Sequence, residues 1–299
     1  MKKILFFILL ILLVGGVFWF WSANSSRPQG PGADGKIKVV VSGYVPYTVA
    51  KQIGGELIDL SMLLPANAEP HSFEPTPGAI IAVHGADVFI YVSGRIEPWV
   101  TDIAENVKEG AVVVEAAQSA KPSKDPHIWM DFDNMRPFAR AIAQALQEKD
   151  PAHQDVYASN LAAFNTQLDE LEQEFSLALA QCRRRRIVHV GHLAFGNLAS
   201  RYGLELTALA GTSHDGEHSV KRLAQVVDLV KNSGVPYVFT EEALSQNLAG
   251  VVAKETGAKL LPLYTVEHVS LQDAQNNVTY ADLMRRNLSS LQRGLECQP

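Results

Sequence analysis

Cysteine is scarce in this sequence, which has two such residues, Cys182 and Cys297, among 299. So few cysteines exclude a small fold held together by several disulfides, and a chain of this length can bury a substantial apolar core. In an oxidising compartment the two cysteines can pair and join the C-terminus to the middle of the chain; otherwise they are two free thiols. The sequence leaves both states open.

The chain also lacks an excess of positive charge. Its formal charge is −6, and without residues 1–30 it has 23 basic and 32 acidic side chains, or −9. A body this acidic offers no general electrostatic surface to nucleic acid, so we expect no such partner. The sequence contains no Gly-x-x-x-x-Gly-Lys-Ser/Thr loop for ATP, and no His-Glu-x-x-His, Cys-x-x-Cys or EF-hand motif for a metal.

One long apolar segment stands at the N-terminus. Lys2 and Lys3 precede residues 4–21, in which only Gly15 and Gly16 are not apolar. Basic residues followed by such a run are typical of a cleaved signal peptide or of a retained membrane anchor, and both remain open. No cysteine lies nearby, which excludes a lipid-modified cysteine. In either case we expect an exported protein, with residues 24–36 as a flexible tether.

Short β-branched runs alternate with helical segments through the rest of the chain. Strands are predicted at 39–41, 59–63, 88–92, 112–114, 187–190, 205–208, 237–240 and 259–263. Helices are predicted between them, for example at 98–106, 136–147, 219–232 and 247–255. This alternation predicts an α/β fold with mainly parallel sheets flanked by helices, and each half of the chain has four strands.

A long helix is predicted between the two sets of strands. Residues 154–181 contain neither Gly nor Pro, and apolar side chains recur there at three- and four-residue steps. Such a helix is about 40 Å long and forms a stiff connector. We therefore predict a signal or anchor segment with its tether at 1–36, an N-terminal lobe at 37–150, a connecting helix at 151–182 and a C-terminal lobe at 183–299.

Three histidines follow the carboxyl ends of predicted strands. His71 and His127 lie in the first half of the chain, and His192 lies in the second half. Ligands of open α/β sheets bind at this edge, so the three rings are expected to converge across a cleft. Imidazole suits zinc and other first-row divalent ions. Each histidine taken singly is also explained as a capping or hydrogen-bonded residue.

Several segments, in order along the chain, resemble the zinc- and manganese-binding solute-binding proteins of ABC importers. They are residues 40–47, 53–55, 63–77, 125–129, 192–196, 202–204, 239–241 and 255–259. The resemblance implies two α/β lobes bridged by one long helix, with a metal ion in the cleft. It also implies a monomer that delivers the ion to a membrane permease driven by a cytoplasmic ATPase.

The resemblance implies a set of metal ligands: His71, His127, His192 and a carboxylate after the last strand. The family usually has an aspartate there, whereas this chain reads Tyr-Thr-Val-Glu-His at 264–268. Glu267 is the first choice for the fourth ligand, His268 is the second, and solvent is the third. Glu267 is alternatively an exposed acid of a loop.

Three imidazoles and one carboxylate favour zinc over manganese, which prefers more oxygen ligands. The chain is therefore interpreted as an extracytoplasmic zinc-binding protein and not an enzyme. Manganese binding and a role as a surface adhesin are the alternatives. A zinc hydrolase is a further one, because three histidines and an open water position also suit catalysis, with Glu267 or Glu74 as general base. Zinc binding should weaken below about pH 6, as histidines take up protons.

Three other features also receive interpretations. Residues 214–218, with His at both ends, form either an entrance loop that collects metal or a simple polar turn. His189 is interpreted as a buried packing residue of its strand. Glu241 either orients a metal ligand or lies at a helix N-terminus.

Overall fold

A computed structural model describes residues 35–212, 220–241 and 246–298 of the chain. The apolar N-terminal segment and residues 214–218 lie outside these described residues. In the described part, strands occur at all eight predicted places, and the predicted α/β class with two sheets flanked by helices is confirmed. No helix in this part of the chain is both long enough and apolar enough to cross a membrane.

The first sheet is formed by four parallel strands in the order β2-β1-β3-β4. The strands are β1 (Ile37–Val41), β2 (Ile58–Met62), β3 (Val88–Tyr91) and β4 (Val112–Glu115). The helices of this half are α1 (Tyr44–Gly54), α2 (Pro77–His84), α3 (Val100–Ala104) and α4 (Phe132–Lys149). Because all four strands are parallel, their carboxyl ends meet at one edge of the sheet.

The second sheet has the same arrangement, with parallel strands in the order β6-β5-β7-β8. The strands are β5 (Arg186–Val190), β6 (Glu205–Ala208), β7 (Tyr237–Glu241) and β8 (Lys259–Leu263). The helices around it are α6 (Gly196–Arg201), α7 (Val220–Ser233), α8 (Gln246–Thr256), α9 (Leu271–Gln275) and α10 (Tyr280–Gly294).

Each sheet buries both faces, as parallel sheets do. Along β1, Val39 and Val41 pack into a large core that extends through both halves of the chain, whereas Val40 packs on the opposite face. In the second sheet, Val188 and Val238 likewise belong to a separate cluster with α7 and α8. Each half therefore has an apolar cluster of its own on one face of its sheet, and the other faces of the two sheets share one common core.

The long connecting helix, α5 (Gln154–Ala180), ends one residue before the predicted position. Its buried face consists of Tyr157, Phe164, Leu168, Leu171, Phe175 and Leu179. These side chains belong to the common core, together with Val39 of the first sheet and Phe239 of the second. The connector is therefore packed along its length and is not a free hinge.

A disulfide between Cys182 and Cys297 joins the end of the connector to the end of the chain. This resolves the alternative that the sequence left open. The two cysteines are separated by 115 positions. In the loop-entropy description, a cross-link of this span stabilises the folded protein by about 4–5 kcal/mol.

Helix α4 begins four residues before the predicted start at 136, and Pro137 lies inside it. The Asp131 side chain caps the helix by accepting a hydrogen bond from the Asp133 N–H, at 3.0 Å. Capping by Asp stabilises a helix start, and this cap outweighs the preference of Pro137 for the first turn.

Candidate metal site

Four predicted site residues lie on loops at the carboxyl edges of the two sheets. His71 follows β2 and His127 follows β4, so the first lobe supplies two of them. His192 follows β5 directly, and Glu267 follows β8. One ligand atom from each of these side chains lies within 4.8 Å of the others. The structure thus brings together the four residues named from the sequence.

Glu267 is at the centre of this group. Its Oε1 lies 2.9 Å from Nε2 of His127 and 3.2 Å from Nε2 of His71. Its Oε2 lies 3.4 Å from Nε2 of His192. The Nε2 atoms of His127 and His192 are 3.1 Å apart. Three imidazole nitrogens and one carboxylate therefore point at a common position, which suits a divalent cation.

The group is almost closed to solvent. His127 and His192 have no exposed surface, and Glu267 is 3% exposed. The alternative in which Glu267 is an exposed loop acid is therefore wrong. Buried charges are stable only when they are paired or bound to a metal, and Glu267 meets this condition through the surrounding histidines.

Two buried carboxylates orient two of the histidines in the same way. Oδ1 of Asp125 accepts hydrogen bonds from the backbone N–H of His127, at 3.0 Å, and from its Nδ1, at 2.5 Å. Oε1 of Glu241 accepts from the backbone N–H and Nδ1 of His192, both at 2.7 Å. With Nδ1–H bound to a carboxylate, Nε2 is the nitrogen that faces the common position and can bind a metal once it has released its proton.

The charges of this group shift its pKa values strongly. Burial alone lowers the pKa of an imidazole, but Glu267 and the hydrogen bond to Glu241 outweigh it and raise the pKa of His192 to about 11. The pKa of His127 is also raised, since Glu267 and Asp125 overcome the effect of burial. Burial opposes ionisation of Glu267, yet His192 and His127 hold its pKa well below its usual range.

The loop that carries Glu267 has a strained backbone. Val266 is buried and has φ of +63°, a conformation that costs a β-branched residue about 1–3 kcal/mol. The adjacent Thr265 carbonyl accepts a hydrogen bond from the indole N–H of Trp129 in the first lobe, at 2.7 Å. Trp129 also packs edge-on against His127, with ring centroids 5.3 Å apart. One aromatic side chain thus holds parts of both lobes beside the site.

Two close approaches near the site require glycine. A Cβ on Gly191 would collide with the Glu241 carboxylate, and one on Gly196 would lie 2.6 Å from Oδ2 of Asp125. Both carboxylates can therefore reach their histidines only because these positions have no side chain.

The remaining sequence candidates lie elsewhere. His268 is buried, but it does not belong to the group that converges on Glu267. His189 is buried in β5 beside Phe195, as predicted. Glu74 is exposed. The hydrogen bonds to His192 support the interpretation of Glu241 as an orienting residue.

The sequence did not reveal three residues that support the site. Asp125 holds the His127 ring, Trp129 bonds to the Glu267 loop, and Asn197 of α6 bonds to the His127 loop. Asp125 lies two positions before His127. Because metal-binding histidines usually donate a hydrogen bond to a carboxylate, an acid so close to a predicted ligand could have been predicted to orient it. Trp129 and Asn197 act through contacts with distant parts of the chain, for which no local pattern exists.

Two parallel sheets joined by a long packed helix, with histidines and a carboxylate converging at their edges, define a metal-binding solute-binding protein of the ABC-importer type. The chain belongs to the ZnuA family, described as zinc-uptake complex component A, periplasmic, whose model matches residues 39–294. The resemblance seen in the sequence is thereby confirmed.

Named relatives agree with this membership. The zinc-binding protein AdcA of Streptococcus pyogenes serotype M3 is 30% identical over 95% of this chain, and the match covers 60% of AdcA. The chain therefore spans less than two thirds of that relative. The high-affinity zinc uptake system protein ZnuA of Bacillus subtilis is 29% identical, over 91% of this chain and 92% of that protein.

A solved structure extends the similarity to three dimensions. The laminin-binding protein Lmb of Streptococcus agalactiae, described as bifunctional with adhesin and metal-transporting activity, has a TM-score of 0.80 and 32% identity. The match covers 87% of this chain and 99% of Lmb.

Proposed function

We propose that this protein binds zinc outside the cytoplasm and delivers it to an ABC-type permease. The observation that carries the proposal is the buried convergence of three histidine Nε2 atoms on the Glu267 carboxylate. His71, His127, His192 and Glu267 are the proposed ligands, and the ion is the cargo. The relatives named as zinc-binding and zinc-uptake proteins support this choice.

The chemistry of these four groups favours zinc over manganese. Zinc takes four nitrogen, sulfur or oxygen ligands in a tetrahedron, whereas manganese prefers more oxygen ligands and higher coordination. Manganese is also the weakest binder in the divalent series. A single carboxylate among three imidazoles supplies little oxygen, so we propose zinc as the cargo and manganese as a weaker competitor.

An exported location and an importer partner complete the proposal. The Cys182–Cys297 disulfide fits an oxidising compartment, and the basic and apolar N-terminal residues fit export or anchoring. We propose that the protein acts as a monomer held at or near the membrane. A permease would take the ion. The ATP that drives the transport would be hydrolysed by a separate cytoplasmic ATPase, because this sequence has no phosphate-binding loop of its own.

We propose no enzymatic activity. A zinc hydrolase keeps one coordination position open for water and places a general base beside it. With Glu267 as the fourth ligand, that position is filled. Glu74, the other acid considered for the role of base, is exposed on the surface.

Metal competition tests the proposal directly. The full chain, stripped with a chelator, is offered equal amounts of zinc and manganese, and the bound metals are counted by elemental analysis. We expect one zinc per chain. His192→Ala should lose it, whereas His84→Ala, at an exposed histidine that is not one of the proposed ligands, should keep it. Preferential retention of manganese would overturn the choice of metal, and no bound metal would overturn the site.

Adhesion is a second candidate function, because Lmb is described as having both adhesin and metal-transporting activity. The two functions have different partners. Cross-linking of the protein in its own membranes should recover a permease if it transports metal. Capture on a purified laminin surface, unaffected by a chelator, would favour adhesion.

A further inference from the structure

Asn197 contacts the loop that carries His127 although the two residues belong to different lobes. Asn197 lies in α6 of the second lobe, five positions after His192, and is half-buried. The loop it meets follows β4 of the first lobe. We propose that Asn197 is a positioning residue for the metal site, which keeps His127 aimed at the ion without touching it. This inference rests on the proposed function.

Four hydrogen bonds join Asn197 to this loop. Its side-chain Nδ2 donates to the carbonyl oxygens of His127, at 2.9 Å, and Asp125, at 3.2 Å. Its backbone N–H donates to Oδ2 of Asp125, at 3.2 Å. Its Oδ1 accepts from the Ser123 hydroxyl, at 2.7 Å. Every polar group of the amide is therefore used on one short stretch of the other lobe.

These bonds act on His127 through Asp125. The Asp125 carboxylate holds the His127 ring by Oδ1, and its Oδ2 accepts from the backbone N–H of Asn197. The Asn197 side chain holds the backbone of the same loop, through the carbonyl oxygens of Asp125 and His127. Asp125 lies on an irregular loop and not on a strand, so the first sheet does not fix its position. Asn197 supplies the support that the sheet does not, and Gly196 gives the close approach that this requires.

The arrangement also couples the two halves of the site. Asn197 shares its segment with His192, so a single stretch of the second lobe supplies one proposed ligand and fixes another. Any movement that separates the lobes breaks the Asn197 bonds and releases the orientation of His127 at the same time. Loss of the ion and loss of its ligand geometry are therefore linked.

The test begins with zinc affinity in competition titrations of the full chain. Residues that orient metal ligands typically contribute 10–100-fold to affinity, so Asn197→Ala should weaken zinc binding by roughly 10–100-fold. The matched control is Asn160→Ala, which removes another amide that joins two elements, through a 2.8 Å bond to the Ile53 carbonyl. Asn160→Ala should leave zinc affinity unchanged. Asn197→Ser provides a milder variant if the alanine variant fails to fold.

Two further ligand variants separate positioning from a general structural role. The effect of Asn197→Ala on zinc affinity should disappear in a His127→Ala background and persist in a His71→Ala background. Cobalt bound in place of zinc should show an altered visible spectrum in the Asn197 variant. An equal effect in both backgrounds, or affinity within twofold of the unmodified chain, would overturn the inference. If the unmodified chain binds no zinc, the proposed function fails instead.

Discussion

Each lobe places a buried carboxylate on the Nδ1 of one proposed ligand, but the two carboxylates come from different places. In the second lobe, Glu241 lies at the end of β7, the strand next to β5, which leads into His192. In the first lobe, Asp125 belongs to the same loop as the His127 that it holds. The two sheets have the same strand order, so topology alone does not determine how a ligand is supported.

The difference shows where each half of the site obtains its rigidity. Glu241 belongs to β7, and His192 lies two residues after β5 and bonds to Glu241, so the support of His192 comes from its own lobe. The His127 loop depends on contacts from outside, namely those of Asn197 and the Trp129 bond to Thr265. We therefore expect the second lobe to be the firmer half, and the following predictions test that view.

The largest effect is expected from the loss of a proposed ligand. His192→Ala should lower zinc affinity by more than the roughly 10–100-fold typical of residues that only orient ligands, because it removes a direct bond to the ion. Competition titration gives the affinity, and circular dichroism checks that the variant folds. Unchanged affinity would contradict the ligand assignment.

Loss of either orienting carboxylate should have the next largest effect. Asp125→Ala and Glu241→Ala should each weaken zinc binding by roughly 10–100-fold, since each histidine ring loses its Nδ1 partner. The two variants differ in which loop they affect: Asp125→Ala acts on the His127 loop, whose backbone carbonyls the Asn197 side chain also holds, whereas Glu241→Ala acts on the other lobe. The coupling between Asn197→Ala and Asp125→Ala should therefore be strong, and that between Asn197→Ala and Glu241→Ala weak. If the two pairs of variants were coupled equally, Asn197 would not act specifically on the His127 loop, and the proposed difference in support between the lobes would be wrong.

Zinc affinity should rise with pH. In the metal-free protein His192 has a pKa raised to about 11 and that of His127 is also raised, so protons compete with the ion at neutral pH. For each proton that the ion displaces, affinity should increase by about tenfold per pH unit. A tenfold change in affinity corresponds to a binding free energy of about 1.4 kcal/mol. Titration calorimetry in buffers of different ionisation enthalpy counts these protons. No proton release near pH 7 would contradict the raised pKa values.

The same pKa shifts determine the stability of the metal-free protein. A histidine whose pKa is higher in the folded state stabilises the fold fully below its unfolded value, about 6.5. That contribution from His192 is lost as the pH rises from there toward about 11. Denaturant unfolding should therefore show falling stability over this range, and His192→Ala should flatten the curve. An equally steep curve in the variant would assign the effect to other groups.

The smallest effect is expected from the ion pairs that bridge the lobes away from the site. Arg201 in the second lobe pairs with Asp131 and Asp133 in the first and with Glu172 on the connector. Arg201→Ala should lower the free energy of unfolding by about 1–3 kcal/mol, because hydrogen bonds to partly buried charges are lost. Zinc affinity should change little.

The control for this variant is Arg285→Ala, which removes a more exposed pair between α10 and Glu174 of the connector. Exposed pairs contribute about 0–1 kcal/mol. If both variants lower stability equally, the Arg201 network has no special role in joining the lobes.

The sequence predicts much of the fold because the strands are marked locally. β-branched runs such as Val39–Val41 reveal strands buried on both faces, and regular apolar spacing reveals the connector. Helix α1 was not among the helices named from the sequence. Its N-cap is Gly43, which offers no side chain to cap the helix, and Pro46 lies in its first turn.

The site was predictable to the extent that its residues follow strand ends. His71, His127 and His192 were found in this way, and the resemblance added Glu267. The support of the site was not predictable, because it consists of contacts between distant positions. Asn197 bonds to His127 across 70 positions and Trp129 bonds to Thr265 across 136.

The disulfide between Cys182 and Cys297 has a consequence for proteolysis. It encloses nearly the whole second lobe in a covalent ring that begins and ends beside the connector. One cut in the backbone between these cysteines opens the ring without dividing the molecule. A protein nicked once in this region should therefore keep its full mass until a reductant is added, and only then separate into two fragments.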